Sequence, residues 1–229
     1  MFGTRRLSTI AITALFGVLI AIPVVVLANP GLTVTDLAHG VTATQLANSL
    51  VGGGVTITNV TYTGANNAAG SFSGGAGIVG FDSGIVLGSG SVQSVGTAPC
   101  SADGTNAKGV EGPNACQGVT TSNATAGDAD LTTLAGFDTF DAAILEFDFV
   151  PKSDTVSFRY VFSSDEYNEY SNSSYNDVFG FFVNQTNCAL VPGTTEPVSI
   201  NTINGGNPLG TDPKHPEYYR NNDFQDGTE

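Results

Sequence analysis

The sequence has no tryptophan, one methionine, two histidines, three cysteines and only seven lysines and arginines. Each scarcity narrows the function. Against 21 acidic residues the seven basic ones leave a formal net charge of −14. A surface of that sign repels phosphate backbones and anionic headgroups, which disfavours nucleic acid and anionic lipid as partners. Charged residues are only 12% of the whole, so the imbalance comes from missing bases rather than acidic runs. Disorder driven by charge is therefore not expected. A nucleophilic Ser or Cys needs a base beside it, and the chain offers only His39 and His215, both in polar stretches. Neither a G-x-S-x-G elbow nor an H-E-x-x-H zinc motif accompanies them. Without tryptophan the usual sugar-stacking platform is missing, and Tyr167, Tyr170 and Tyr175 would have to replace it.

What is plentiful is glycine, with 29 residues, about 13% of the chain and nearly twice the average share. It is mixed with Thr, Ser, Asn, Val and Ile, a composition suited to short strands joined by turns. The N-terminus is different. Arg5 and Arg6 precede an apolar run over residues 7–27, and Val26 and Ala28 are the small residues a signal peptidase reads. Residues 1–28 are expected to be a secretory signal cleaved after Ala28. The alternative is an uncleaved membrane anchor through residues 7–27, since about 20 apolar residues suffice to span a bilayer. Either way the acidic part is exported, with five basic and 21 acidic residues and a net charge of −16 after cleavage. In an oxidising compartment Cys100 and Cys116 are expected to form a local disulfide, worth roughly 3 kcal/mol of chain entropy. Cys188 is left over, either paired with a cysteine further along or buried and reduced.

Along the exported part, Thr42 or Thr44 can cap a short helix through Gln45, Leu46 and Leu50, with Gly52, Gly53 and Gly54 ending it in a left-handed conformation. The period then changes to two. Val55 and Ile57, then Val60 and Tyr62, spell a strand with a bulge near Asn59. Ile78-Val79 and Ile85-Val86-Leu87 have the look of short buried strands, while residues 88–127 lack periodicity and form a long loop. A helical turn around Asp130 to Leu134 is expected, capped by Asp128 or Asp130. Leu145, Phe147 and Phe149 then alternate with acids, and Val156, Phe158, Tyr160 and Phe162 alternate with Ser157, Arg159 and Ser163. With a turn at Pro151-Lys152-Ser153-Asp154 these two runs are expected to pair as a hairpin. Residues 178–183 and 198–203 are further strand candidates, after which the chain is polar and turn-rich. The pattern predicts an all-β fold, an antiparallel, jelly-roll-like β-sandwich with one or two short helices, preceded by the signal-peptide helix.

Gly75-Ala76-Gly77-Ile78-Val79-Gly80 matches G-x-G-x-x-G, but a strand follows where a dinucleotide site needs a helix, so tight turns are expected. The stretch richest in chemistry is Ser163-Ser164-Asp165-Glu166-Tyr167-Asn168-Glu169-Tyr170, with Asn176-Asp177 beyond it. Asp165, Glu166, Glu169 and Asp177 are hard oxygen ligands of the kind Ca²⁺ takes, and they converge if the loop folds back on itself. The alternative carries equal weight. Asp165 and Asn176 would cap turns, and Glu166 and Glu169 would be solvated or paired with Arg159. Paired acids also raise glycoside hydrolysis, for which Glu166 and Glu169 qualify only by residue type. Asp128, Asp130, Asp138 and Asp141 suit capping. Four N-x-S/T sites, at Asn59, Asn123, Asn172 and Asn184, are glycan acceptors only in a eukaryotic secretory pathway.

Several segments taken in order resemble the choice-of-anchor L domain of bacterial exported proteins. They include Leu50-Val51-Gly52-Gly53-Gly54-Val55, Gly77-Ile78-Val79-Gly80-Phe81-Asp82-Ser83-Gly84 with the run to Gly90, and Gly127-Asp128-Ala129-Asp130-Leu131. Residues 147–150, 158–170, 177–183 and 198–204 continue the likeness. The resemblance implies a β-rich surface domain over residues 29–229 whose relatives carry differing C-terminal anchoring signals, and it implies no catalytic activity. The family's domain also looks longer than this chain, with strands after the Tyr218-Tyr219-Arg220 region, so a truncated domain is expected. The sequence thus predicts a non-enzymatic adhesion, matrix or structural domain at the cell surface. Its partner would be a surface or matrix polymer or protein. A Ca²⁺-dependent glycan-binding module is the main alternative and a carboxylate glycoside hydrolase a distant one.

Mass spectrometry of the exported protein should find Asn29 at the N-terminus and, without reduction, Cys100 linked to Cys116. An intact Met1 in the membrane fraction, or Cys188 crosslinked to either cysteine, would contradict these expectations.

Overall fold

The computed structural model describes residues 32–95, 122–152 and 154–221. The signal segment, Cys100, Cys116 and most of the long loop fall outside them. Among the described residues no helix is long and apolar enough to cross a membrane. Nine strands and two short α-helices are seen there: β1 (Thr33–Asp36), α1 (Ala43–Leu50), β2 (Thr56–Thr63), β3 (Ala69–Ser73), β4 (Ser83–Leu87), α2 (Ala129–Ala135), β5 (Ile144–Val150), β6 (Val178–Phe179), β7 (Phe182–Val183), β8 (Thr186–Asn187) and β9 (Val198–Ser199). They form four antiparallel sheets, β1-β3-β4, β2-β5, β6-β9 and β7-β8, in keeping with the all-β, antiparallel class.

The N-terminal half follows its sequence closely. Thr42 caps α1 in a reciprocal box, its hydroxyl accepting from the Gln45 amide while the Gln45 side chain accepts from the Thr42 amide. The exit differs from expectation. Val51 leaves the helix extended, and the left-handed glycine is Gly54, within the turn closed by Val55 N–H to Gly52 C=O. Leu46 and Ala47 on the inner face of α1 are buried, and the helix packs on β2, β4 and β5. β2 slips register between Thr58 and Thr61, where Asn59 takes a left-handed φ of 53°, the expected bulge. Gly70 is required where β3 pairs with β1, since a Cβ there would lie 2.7 Å from the Thr35 carbonyl oxygen. Asp128 caps α2 by accepting from Asp130 and Leu131 N–H, and Gly136 ends it at φ 74°.

Three strand expectations fail. The Ile78-Val79 pair lies in a turn, both amides donating to the Gly75 carbonyl, so the glycine-rich hexapeptide is the tight turn its chemistry suggested and not a strand. Ile85, Val86 and Leu87 do form β4, but half-exposed rather than buried. The β5 hairpin is not formed. β5 pairs with β2 instead, and residues 156–162 run extended outside any sheet. The physical reason lies in the side chains: Phe158 meets Phe181 and Tyr160 meets Phe179, at ring-centroid distances of 3.8 and 4.9 Å, while the Arg159 guanidinium sits 5.2 Å over Phe81. These contacts carry the segment away from β5 and hold it as a strap. The loop after β4 is also more ordered at its start than expected, with Val92 buried in the short turn Val92–Val95.

The C-terminal half has strands of two residues each, too short for their ladders to hold it. Its apolar core is small, comprising Ala189, Val191, Val198 and Ile200. Side-chain amides do the joining. Asn204 is fully buried and saturated: its Nδ2 donates to Ile200 C=O at 2.8 Å and to Asn172 Oδ1 at 3.3 Å, and its Oδ1 accepts from Gly206 N–H and Lys214 N–H. Asn176 joins α2 to the turn after β9, donating to Ala135 C=O and accepting from Asn201 N–H.

Removing a buried amide that satisfies two donors and two acceptors strands them all. Asn204→Ala should lower stability by about 3 kcal/mol. Thermal or urea unfolding would measure it, and a loss within about 0.5 kcal/mol, the range of ordinary surface changes, would show that the amide is dispensable.

Candidate functional site

The acidic loop is held from both sides. Tyr167 donates to Ile203 C=O at 2.5 Å and packs on Tyr219, whose hydroxyl donates to Asn168 Oδ1 at 2.5 Å. Burial, then the neighbouring Tyr219 and Asp177, raise the Tyr167 pKa. Tyr167 is therefore structural and not free to stack on a ligand. Tyr170 and Tyr175 instead form a pair at 4.9 Å and 59°, with 46% and 62% of their surface in solvent.

Of the four acids expected to converge, two meet. Ser164 Oγ lies 2.8 Å from Asp177 Oδ2 and 3.0 Å from Glu166 Oε2, and accepts from Glu166 N–H. A hydroxyl has one proton and can donate to only one of two carboxylates. The second short contact is satisfied when Glu166 is protonated. Burial, and then the Asp177 charge beside it, push Glu166 up to about 7, with Asp165 adding to the effect. Glu166 is thus part-buried and shares a site with Asp177, rather than solvated or paired with Arg159. Glu169 holds elsewhere. Its backbone carbonyl accepts from Asn207 Nδ2, and its Oε1 is buried without a hydrogen bond. Among the described residues no group of three or more His, Cys, Asp or Glu side chains has the geometry to hold a metal ion.

Sequence reasoning missed Ser164, the hydroxyl on which the two carboxyls meet, and its signal was only a serine before two acids. It also missed Asn201 and Asn204, which together with Asn176, expected as a turn cap, fix the position of Asp177 and the loop through their amides. Of the acids expected to cap, Asp128 and Asp141 accept backbone N–H bonds. The Asp141 carboxyl accepts from Thr125 N–H at 2.6 Å and Asn123 N–H at 3.1 Å, and these bonds outweigh its burial and lower its pKa. His39 is fixed on the buried carboxylate of Asp36, 2.6 Å from Nδ1. His215 lies between Glu196, 2.8 Å from Nε2, and Glu217, 3.4 Å from Nδ1, and the Glu196 bond leads in raising its pKa. Cys188 is exposed and free, with only a long contact to Thr186 C=O, so it is not a buried thiol.

The folded pKa of Glu166 lies above its ordinary value of 4.5, so the native chain keeps a proton that the unfolded chain releases. The stability it contributes is complete below about 4.5 and is lost as pH rises through about 7. His215, also raised, acts in the same sense. Melting temperature should therefore fall between about pH 5 and about pH 8. Glu166→Gln, neutral throughout, should flatten the part of that fall due to Glu166, and a fall identical in both proteins would contradict the shared-proton pair.

The sequence matches the choice-of-anchor L domain family over residues 33–229. No curated protein matches the chain, and no solved structure does. Since the match runs from β1 through the acidic loop to the last turns, the chain belongs to the choice-of-anchor L domain family, domains of bacterial proteins exported to the cell surface.

Proposed function

We propose that the chain is a non-catalytic adhesion or matrix module that works through its exposed aromatic surface. The observation that carries this reading is the aromatic row of the strap, where Phe158 and Tyr160 stack on each other at 5.5 Å and on Phe181 and Phe179 while remaining open to solvent. Exposed apolar area of this kind marks interaction surfaces.

One observation favours a second reading, a Ca²⁺-dependent carbohydrate-binding module. The exposed Tyr170 and Tyr175 pair belongs to the same loop as the Glu166 and Asp177 carboxyls, so one loop carries both a stacking face and hard oxygen donors. On this reading Glu166 and Asp177, the two of the four acids Asp165, Glu166, Glu169 and Asp177 that meet, supply oxygens to Ca²⁺, and binding displaces the proton held on Glu166.

Beads coated with the exported chain should adhere to the matrix of the producing bacterium. Phe158→Ser combined with Tyr160→Ser should reduce adhesion about tenfold while leaving the circular dichroism unchanged. Adhesion indifferent to these changes, but abolished by chelator and by Tyr175→Ala, would replace the first reading with the second. Sugar-bond hydrolysis lost in Glu166→Gln would overturn both.

A further inference from the structure

Residues 156–163 combine two properties that rarely coincide. Their side chains follow strand alternation and are anchored on opposite sides, Phe158 and Tyr160 on Phe181 and Phe179, and Arg159 over Phe81. Yet among the described residues none of their backbone N–H or C=O groups makes a hydrogen bond, and Val156 and Val161 are 50% and 56% exposed. Among the described residues the strap has no hydrogen-bonded neighbour strand, although Phe158 faces Phe181 and Tyr160 faces Phe179. An open edge of this length templates the addition of another extended chain.

Charge decides which chain. Along the strap the signs run Asp154, Arg159, Asp165, negative at the ends and positive in the middle. A second copy paired by a two-fold axis in the register that uses the whole strap would set Asp154 against Asp165 at both ends, where like charges directly opposite are destabilising. The two copies would also each bring the strong negative charge of the exported part, with 21 acidic residues against five basic ones. An extended segment with basic ends, an acidic centre opposite Arg159, and apolar residues in register with Phe158, Tyr160 and Phe162 meets attraction on every count, and the acidic domain steers it.

We propose that the strap is a strand-addition site for an extended, basic-ended peptide segment of a partner protein. This rests on the adhesion reading and names its partner chemistry: main-chain hydrogen bonds supply the affinity, and the alternating charges and aromatics set the register.

The synthetic peptide KVTVTVEVTVTK has this pattern. Calorimetry with the full exported chain should show saturable binding that weakens with salt, and at least tenfold weaker binding of the charge-reversed EVTVTVKVTVTE. Of two versions N-methylated on alternate residues, the one blocking the paired edge should lose at least tenfold and the other should keep the parent affinity. No binding at millimolar peptide, equal affinity of the two methylated versions, or equal affinity of the charge-reversed peptide would overturn the proposal. So would sedimentation showing a dimer that the peptide cannot dissociate, since the strap would then belong to a second copy. Loss of peptide binding with adhesion to the matrix intact would remove the strand-addition site alone and leave the adhesion reading in place.

Discussion

The side-chain amide of Asn204 is the contact on which the C-terminal half depends. Strands of two residues bring too few ladder bonds to fix their own positions, and a core of Ala189, Val191, Val198 and Ile200 buries little area. Asn204 replaces that missing order by satisfying four polar groups from three stretches of chain. Hydrogen bonds of this kind contribute only about 1 kcal/mol each to stability, but buried groups left unpaired cost more. The amide thus specifies one arrangement of the loops more strongly than its net energy suggests. Asn172 and Asn176 extend the same device outward, and through Asn176 and Asn201 the order reaches Asp177 and the acidic loop.

That loop shows what such a frame makes possible. Tyr167 and Tyr219 clamp it to Ile203 and Asn168, which keeps Glu166 and Asp177 close enough to compete for one Ser164 proton. Free in solution the two carboxyls would separate. With the two held together, burial and the Asp177 charge favour the protonated form of Glu166, and the pair becomes a candidate for a pH-dependent contact. On the N-terminal side longer strands carry the frame instead, and the buried Asp36 carboxylate with His39 and Gln93 is the main polar feature there.

Legibility followed sequence distance. Local chemistry was readable: Thr42 with Gln45, Asp128 before α2, and the Asn59 bulge each need only a few neighbouring residues. The class of the fold was readable from alternation and glycine. Strand partners were not, because a period of two tells which residues share a face and nothing about which strand lies alongside. The turn at Pro151 made the hairpin of β5 with residues 156–162 the shortest connection, but the Phe158 and Tyr160 contacts with Phe181 and Phe179, some twenty residues away, won. The Ser164 bridge and the Asn204 hub were illegible for the same reason, since each joins residues 10 or more apart.

A hydrogen-bonded frame thus presents, at the surface of an exported bacterial protein, an aromatic strap with no ladder partner among the described residues. Residue-resolved amide exchange on the free protein tests that division most directly. The amides of Gly206, Lys214 and the β2-β5 ladder should exchange slowly, at rates set by global opening, while those of residues 156–163 should exchange close to the rate of an unstructured chain. Slow exchange over residues 156–163, matching β2 and β5, would mean that the segment is a paired strand, and the picture of an open edge would be wrong.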